Sequence, residues 1–308
     1  MSRLVNEFSW SVSRDRIFSS CRRAYYFRHY GSWGGWEHDT DDRTRDIYRL
    51  KKLSNRFTLA GLVVHSVVAE VLDRHRYGRE TTLEAAQERA LESLKEAFRE
   101  SRGDASRHRK AVRLFEHEYA IPLQDTAWER MRDRVAECLT HFFASRIYRV
   151  ILDTPVENWL PIDNLDSFMF EGVKIYVAPD FAFRNDLGNA LVLDWKTGRQ
   201  SADEDRAQIV CYGLFAWEKW KMAPRRTIGE LHYLRTGEKD VVTLDETLLQ
   251  AGRERIRRSI AAMRALLEDP AGNDAVEESF DRTENRDTCS LCNYRRMCWP
   301  EWPSVRSA

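Results

Sequence analysis

The stretch YVAPDFAFRNDLGNALVLDWKTG, residues 176–198, decides how the chain is read. Two β-prone runs, DFAFR and ALVLDW, flank RNDLGN, whose Asn, Asp and Gly supply the chemistry of a tight turn. A hairpin symmetric about Leu187 places Asp180 directly opposite Asp194. Cross-strand partners in an antiparallel pair hold their Cβ atoms about 4.5–5.5 Å apart, where like charges repel. A divalent cation between them reverses that sign.

Side chains alternate along a strand, so Lys196 falls on Asp194's face with Ala178, Ala182, Ala190 and Val192, small neighbours that leave room for a ligand. The opposite face, Val177, Phe181, Phe183, Leu191, Leu193 and Trp195, is large and apolar, as a core-facing surface should be. Two acids and a lysine also occur as an ordinary solvated ion-pair face, but that reading leaves the small neighbours unexplained.

Working outward, apolar and aromatic spacing (Ile17, Phe18, Cys21, Tyr25, Phe27) predicts a helix over 14–30, followed by a polar loop over 31–46 and a helix over 56–75. The run from residue 81, TTLEAAQERALESLKEAFRE, opens on a capping box of Thr81 and Glu84 and consists of good helix formers. Further helices are expected near 105–119 and 123–147, which makes 78–150 a helical insertion. After residue 150 the runs VILDTPVENWL and SFMFEGVKIYV read as β-type, ahead of the hairpin. A helix over 202–222, strands near 228–235 and 239–243 and a helix over 245–268 complete the 151–268 core. The fold class expected is α/β, a mixed central sheet flanked by helices.

Length and charge bound the rest. A chain of 308 residues can bury a large core without disulfides. Its 49 Lys and Arg balance 49 Asp and Glu, so any nucleic-acid surface must be local. The longest apolar run, LAGLVVHSVVAEVL, is too short to span a bilayer, and MSRLVNEFSW has no apolar leader core. A soluble, cytoplasmic protein with no membrane partner is expected, in which clustered cysteines point to metal rather than disulfides.

Pro179-Asp180, then thirteen residues, then Asp194-Trp195-Lys196 resembles the PD-(D/E)XK nuclease signature, and Thr197-Gly198 extends it to the form typical of RecB-like exonucleases. The resemblance implies a restriction-endonuclease-like core in which Asp180, Asp194 and the Trp195 carbonyl bind magnesium or manganese. It implies that Lys196 orients the attacking water or meets charge on the phosphate. Phosphodiester hydrolysis needs those parts: a Lewis acid, a nucleophile made from water and positive charge at the phosphate. Upstream, GLVVH sets Gly61 and His65 one helical turn apart; a lone histidine there is usually packed, but RecB-like nucleases carry a metal-ligand histidine in this GxxxH helix. Downstream, Gln208 and Tyr212 share a helix face and match the QxxxY pattern, which implies contact with DNA.

Cys289, Cys292 and Cys298 follow a C-x2-C-x5-C spacing, and no histidine follows residue 232, which disfavours a zinc finger. Three local thiolates and one distant one can hold an iron–sulfur cluster. Cys138 and Cys211 read as packed small hydrophobes, which leaves Cys21. CRRAYYFRHY, from Cys21, resembles the N-terminal segment of RecB-like nucleases that carry a four-iron, four-sulfur cluster, such as the AddB nuclease and the CRISPR-adaptation exonuclease. The resemblance implies Cys21 as fourth ligand and residues 1–30 and 286–300 as one iron–sulfur module of a single nuclease domain. Arg22 stands where that family often has proline.

The same segment interleaves Arg22, Arg23 and Tyr25, a mix that suits phosphates and base stacking, while its aromatics suit a core equally well. Basic runs at 107–113 (Arg107, Arg109, Lys110, Arg113) and 253–258 (Arg253, Arg255, Arg257, Arg258) are further options. The function expected is a metal-dependent DNA exonuclease on single-stranded or frayed ends, in repair, CRISPR adaptation or phage defence. A helicase or CRISPR-adaptation and defence proteins are its expected partners. The alternatives are a partner-dependent endonuclease or defence effector, and a non-catalytic DNA-binding assembly subunit.

Overall fold

The computed structural model describes residues 4–103, 112–161, 165–198 and 200–302. A short strand β1 (Ser9–Trp10) leads into α1 (Val12–Ser20), whose cap Ser11 accepts from the Arg14 N–H. At Cys21 the backbone turns extended (φ −164°), then resumes as α2 (Arg22–Tyr26) and a π-helical turn, Phe27–Gly31. The helix expected over 14–30 is therefore jointed, with Cys21 at the joint. The loop expected over 31–46 ends early, because Asp41 caps α3 (Asp42–Lys51), which buries Ile47 and Leu50 beneath a mostly charged surface. Those two apolar residues among so many charges gave little periodic signal.

After β2 (Leu53–Ser54), Asn55 caps α4 (Arg56–Arg76), which buries Leu59, Val63, Val67 and Val71 as an i, i+4 stripe. The cap of α5 (Leu83–Arg102) is Thr82, which accepts from the Ala85 N–H, so the box expected at Thr81 and Glu84 does not form. Thr81 instead accepts from Arg74 Nε at 3.0 Å. Next come β3 (Arg113–Leu114), the single turn α6 (Phe115–Glu118), α7 (Asp125–Ala144) and α8 (Arg146–Asp153). The helix expected over 123–147 is thus divided at Ser145, which caps α8. The β-type reading of 150–153 is overturned as well: Ile147, Tyr148 and Ile151 bury one helical face. Their β-branched composition disguised a short amphipathic helix.

Strands β4 (Asp166–Phe170) and β5 (Val173–Val177) form a hairpin through Glu171 and Gly172, both at positive φ as a tight β-hairpin turn requires. Then follow β6 (Phe181–Arg184), β7 (Ala190–Lys196), α9 (Ala202–Trp220), β8 (Thr227–Tyr233), β9 (Glu238–Thr243) and α10 (Glu246–Arg264). The tail carries α11 (Arg286–Ser290) and α12 (Arg295–Cys298).

The central sheet has the order β6-β7-β8-β9, and a second sheet has the order β1-β5-β4. Only β7 and β8 run parallel within the central sheet, as the α9 crossover between them demands. Helices cover both faces. Phe183, Leu193 and Trp195 pack into one core with α4, α5 and α7, so these helices supply the layer behind the sheet. Ala182, Ala190 and Val192 pack into a second core beneath α9 and α10, joined by Val177 from the other sheet. This corrects the expectation for the small residues: they make room for a helix, not a ligand, and the site lies at the strand end.

The approach of α9 to the sheet depends on Gly229, where a Cβ would meet Ile209 Cγ2 at 2.1 Å. Overpacking of that kind costs about 1–3 kcal/mol. Gly229→Ala is expected to lower the denaturation midpoint accordingly, and an unchanged midpoint would refute this close contact.

Candidate active site

The hairpin register sets Phe181 against Leu193, so Asp180, whose N–H donates to the Leu193 carbonyl, faces Asp194 as expected. Asp180 Oδ2 accepts from the Trp195 N–H at 2.7 Å, and Oδ1 lies 2.7 Å from His65 Nδ1 on α4. Lys196 Nζ reaches Asp194 Oδ2 and Gln208 Oε1, each at 2.7 Å. The Tyr212 hydroxyl stands 3.0 Å from Asp194 Oδ1 and 2.9 Å from the Ala178 carbonyl, with its single hydrogen for one of them, while Gln208 Nε2 donates to it. Elements far apart in sequence, α4, the hairpin and α9, therefore converge on two carboxylates.

Asp205 belongs to this set, and the sequence reading missed it. It lies 3.6 Å from the Lys196 ammonium and accepts from the Tyr233 hydroxyl and the Ser201 N–H. Its signal was available: Asp205, Gln208 and Tyr212 fall at i, i+3 and i+7, one face of α9. Arg134 on α7 was also missed; both its Nε and a terminal nitrogen donate to the Thr197 carbonyl, fastening the chain just past Lys196. Gly61 has a packing role here, since a Cβ would meet Thr197 Oγ1 at 3.0 Å.

Electrostatics single out Asp194, only 3 % exposed. Burial first, then the charge of Asp180, pushes its pKa up to about 6 against the opposing pull of Lys196. Its Oδ2 is wholly buried and paired with the ammonium by charge, without a hydrogen bond of good direction. Burial opposes a charge on His65, but the hydrogen bond and charge of Asp180, with Asp194 adding, outweigh it and raise its pKa. Burial and the two carboxylates hold Tyr212 well above the ordinary phenol range, so it stays a donor.

Other expected residues divide. Tyr25 is fully buried against Phe18 and Phe280, and Arg23 is held by Glu277 (2.7 Å) and the Phe280 carbonyl, so neither presents itself to DNA. Tyr212 is likewise buried behind Asp194, although the QxxxY pattern implied a DNA contact. Arg22 remains exposed. In the basic runs, Arg113 pairs with Glu118, Arg255 with Asp15 and Arg257 with Glu171 and Glu254, Arg253 lies over the Trp217 ring, and Arg258 is exposed. Arg107, Arg109 and Lys110 lie outside the described residues.

Cys138 and Cys211 are packed in the two cores, where burial pushes their thiols up to about 11 and about 12. Cys21, Cys289, Cys292 and Cys298 are free thiols. Burial pushes Cys292 up to about 12, and the other three each add to the rise through their charge, so the four stand within electrostatic reach of one another. The N–H of Arg23 donates to the Asp281 carbonyl and Arg282 to the Cys298 carbonyl, tying α2 to the tail.

Residues 9–299 match the model of the PD-(D/E)XK nuclease superfamily, and the chain belongs to that superfamily. Its mixed sheet between helical layers has the restriction-endonuclease-like form that goes with it. No curated protein matches the chain. Members of such a superfamily typically use magnesium or manganese, and the donors here suit a hard cation: two carboxylates, one with a buried oxygen short of a hydrogen bond, and an imidazole. As they stand, His65 and Lys196 occupy those oxygens, and among the described residues no three His, Cys, Asp or Glu side chains are arranged around one ion. The main chain of Trp195 meets Asp180 through its N–H.

Because the fold holds Asp194 protonated up to about pH 6, it binds more protons than the unfolded chain between the ordinary carboxylate range and that value. Without metal, Asp194 thus costs stability as pH rises through this window. The melting temperature of metal-free Asp194→Asn, relative to wild type, is expected to rise between about pH 4 and 7. A flat difference would remove the strained carboxylate pair from the description.

Proposed function

We propose that this protein is a metal-dependent deoxyribonuclease, an exonuclease of the RecB-like type acting on single-stranded or frayed DNA ends. The observation that carries the reading is the meeting of Asp180, Asp194, His65 and Lys196 at one strand end. A bound magnesium or manganese ion supplies Lewis acidity and a nucleophile from water. Asp180 and Asp194, with His65, are the residues to hold it. Lys196, set between Asp194 and Gln208, brings a fixed positive charge to the phosphate and orients the attacking water. Tyr212 keeps Asp194 in place, and Asp205 with Gln208 keeps Lys196 in place.

End-labelled single-stranded DNA should be degraded with manganese or magnesium and spared with chelator. Asp194→Asn and Lys196→Gln should each lower the rate by at least about a hundredfold, the scale for losing one charge-stabilising group. Equal rates in the variants would sink the assignment. Circular single-stranded DNA should survive; its opening would instead mark an endonuclease, the activity expected of a partner-dependent defence effector.

Four of the six free cysteines carry a second element of the reading, a four-iron, four-sulfur cluster on Cys21, Cys289, Cys292 and Cys298. A cluster is larger than one ion, so its ligands stand farther apart than those of a single metal. Cys21, Cys298 and Cys289 each act on Cys292 through their charge. Closing the two ends of the chain is its proposed role. Anaerobically purified protein should be brown and lose its iron in Cys21→Ala but not in Cys138→Ala; a colourless protein holding one zinc would overturn the cluster.

A further inference from the structure

Three clefts lie around the proposed active site, and two of them share Ser19 and Ser20 in their walls. A cavity of about 420 Å³ runs from Gln208 and Tyr212 along α1, lined by Ser13, Arg16, Ser19 and Ser20. A second, of about 380 Å³, is lined by the same Ser19 and Ser20 and continues past Arg22 to Arg282 on the tail. The third, of about 710 Å³, opens on the far side of Asp180 and is lined by Glu70, Asp73 and Arg76.

Their chemistry differs. In the third cleft Glu70, Asp73 and Asp180 outnumber Arg76, and among the described residues, apart from His65 on Asp180, only Glu70 has a further basic partner, Arg89 at 3.4 Å, which disfavours a polyanion. In the first, two acids and two bases balance: Glu204 faces Arg16 at 3.7 Å, Arg255 is matched by Asp15, and Asp205 accepts from Tyr233 and Ser201. In the second, Arg22 and Arg282 outnumber Asp281. Arg22 leans over Phe18 and Arg282 over Trp299, on which Arg286 also sits at 3.6 Å. Rings hold these guanidiniums, and among the described residues no carboxylate is paired with them, so their charge is free for a partner.

Ser13, Arg16, Ser19 and Ser20 are all exposed, and hydroxyls with guanidiniums are groups that take up phosphate oxygens without reading bases. The nine residues of α1 span roughly 13 Å.

We infer that the groove over α1, from Gln208 through Ser19 and Ser20 to Arg22 and Arg282, is the track that carries the backbone of a DNA single strand into the active site. This rests on the nuclease reading and gives it a direction: the undegraded strand lies toward the cysteine tail. A sequence-independent track of this kind makes affinity a matter of phosphate contacts and salt.

The test is fluorescence anisotropy of a labelled single-stranded oligonucleotide bound in chelator, where no cleavage interferes. Ser19→Glu and Arg22→Glu change exposed side chains that the fold does not bury, so they should fold normally. Each should weaken binding by roughly tenfold, and loss of Arg22 should reduce the salt slope by about one. Arg76→Glu, in the acidic cleft, should leave affinity as it is. Wild-type affinity in Ser19→Glu and Arg22→Glu, or an equal loss in Arg76→Glu, would overturn the track. Hydrolysis of bis(p-nitrophenyl) phosphate by the unaltered protein with manganese tests the nuclease reading separately, because so small a diester has no need of the groove.

Discussion

Two carboxylates forced to face each other across a hairpin are the constraint around which the molecule is organised. The register that sets Phe181 against Leu193 leaves Asp180 and Asp194 no alternative placement, and burial removes the water that would screen them. That burial first, and then their mutual repulsion, shows in the raised pKa of Asp194. Such a pair persists only where surrounding groups compensate it. His65 answers Asp180, Lys196 and Tyr212 answer Asp194, and Gln208 and Asp205 hold Lys196 where it is needed.

Packing explains why those groups arrive together. Helix α4 can bring His65 in because Gly61 lets it approach Thr197, and α9 lies flat on the sheet because Gly229, Ala182, Ala190 and Val192 leave space for it. Behind the sheet, α5 and α7 complete the core that contains Trp195, and Arg134 fastens the chain beyond Lys196. Helices α5 and α7 are therefore part of what holds the lysine strand. At the other end of α1, the break at Cys21 turns the chain toward the tail, so Cys21 and Arg282 line a cleft that shares Ser19 and Ser20 with the one beside Gln208 and Tyr212.

Much of this was legible in the residues. The turn chemistry of RNDLGN fixed the hairpin centre at Leu187, and strand alternation then opposed the two acids, since a period of two allows no other facing once the centre is set. Long helices with clear apolar stripes, such as α4 and α10, were readable for the same reason. Signals failed where local pattern was weak or ambiguous. The β-branched run at 147–151 concealed α8, a charged surface concealed α3, and the choice between Thr81 and Thr82 as cap depended on where Arg74 needed a partner. Aromatic residues beside Arg22 suggested a base-stacking surface, but Tyr25 and Phe27 proved to be core.

By itself the sequence determined the chemistry on offer: which carboxylates oppose, which lysine follows, which cysteines cluster at the end, and that no field of net charge surrounds them. Those are matters of spacing and composition, carried along the chain. Tertiary structure alone decided which face of the hairpin was covered, that Tyr212 stands behind Asp194 rather than at the surface, that Asp205 joins Lys196, and that Arg22 and Arg282 border one groove. Each of these depends on contacts between elements far apart in sequence, whose burial and charge exist only once the layers have closed.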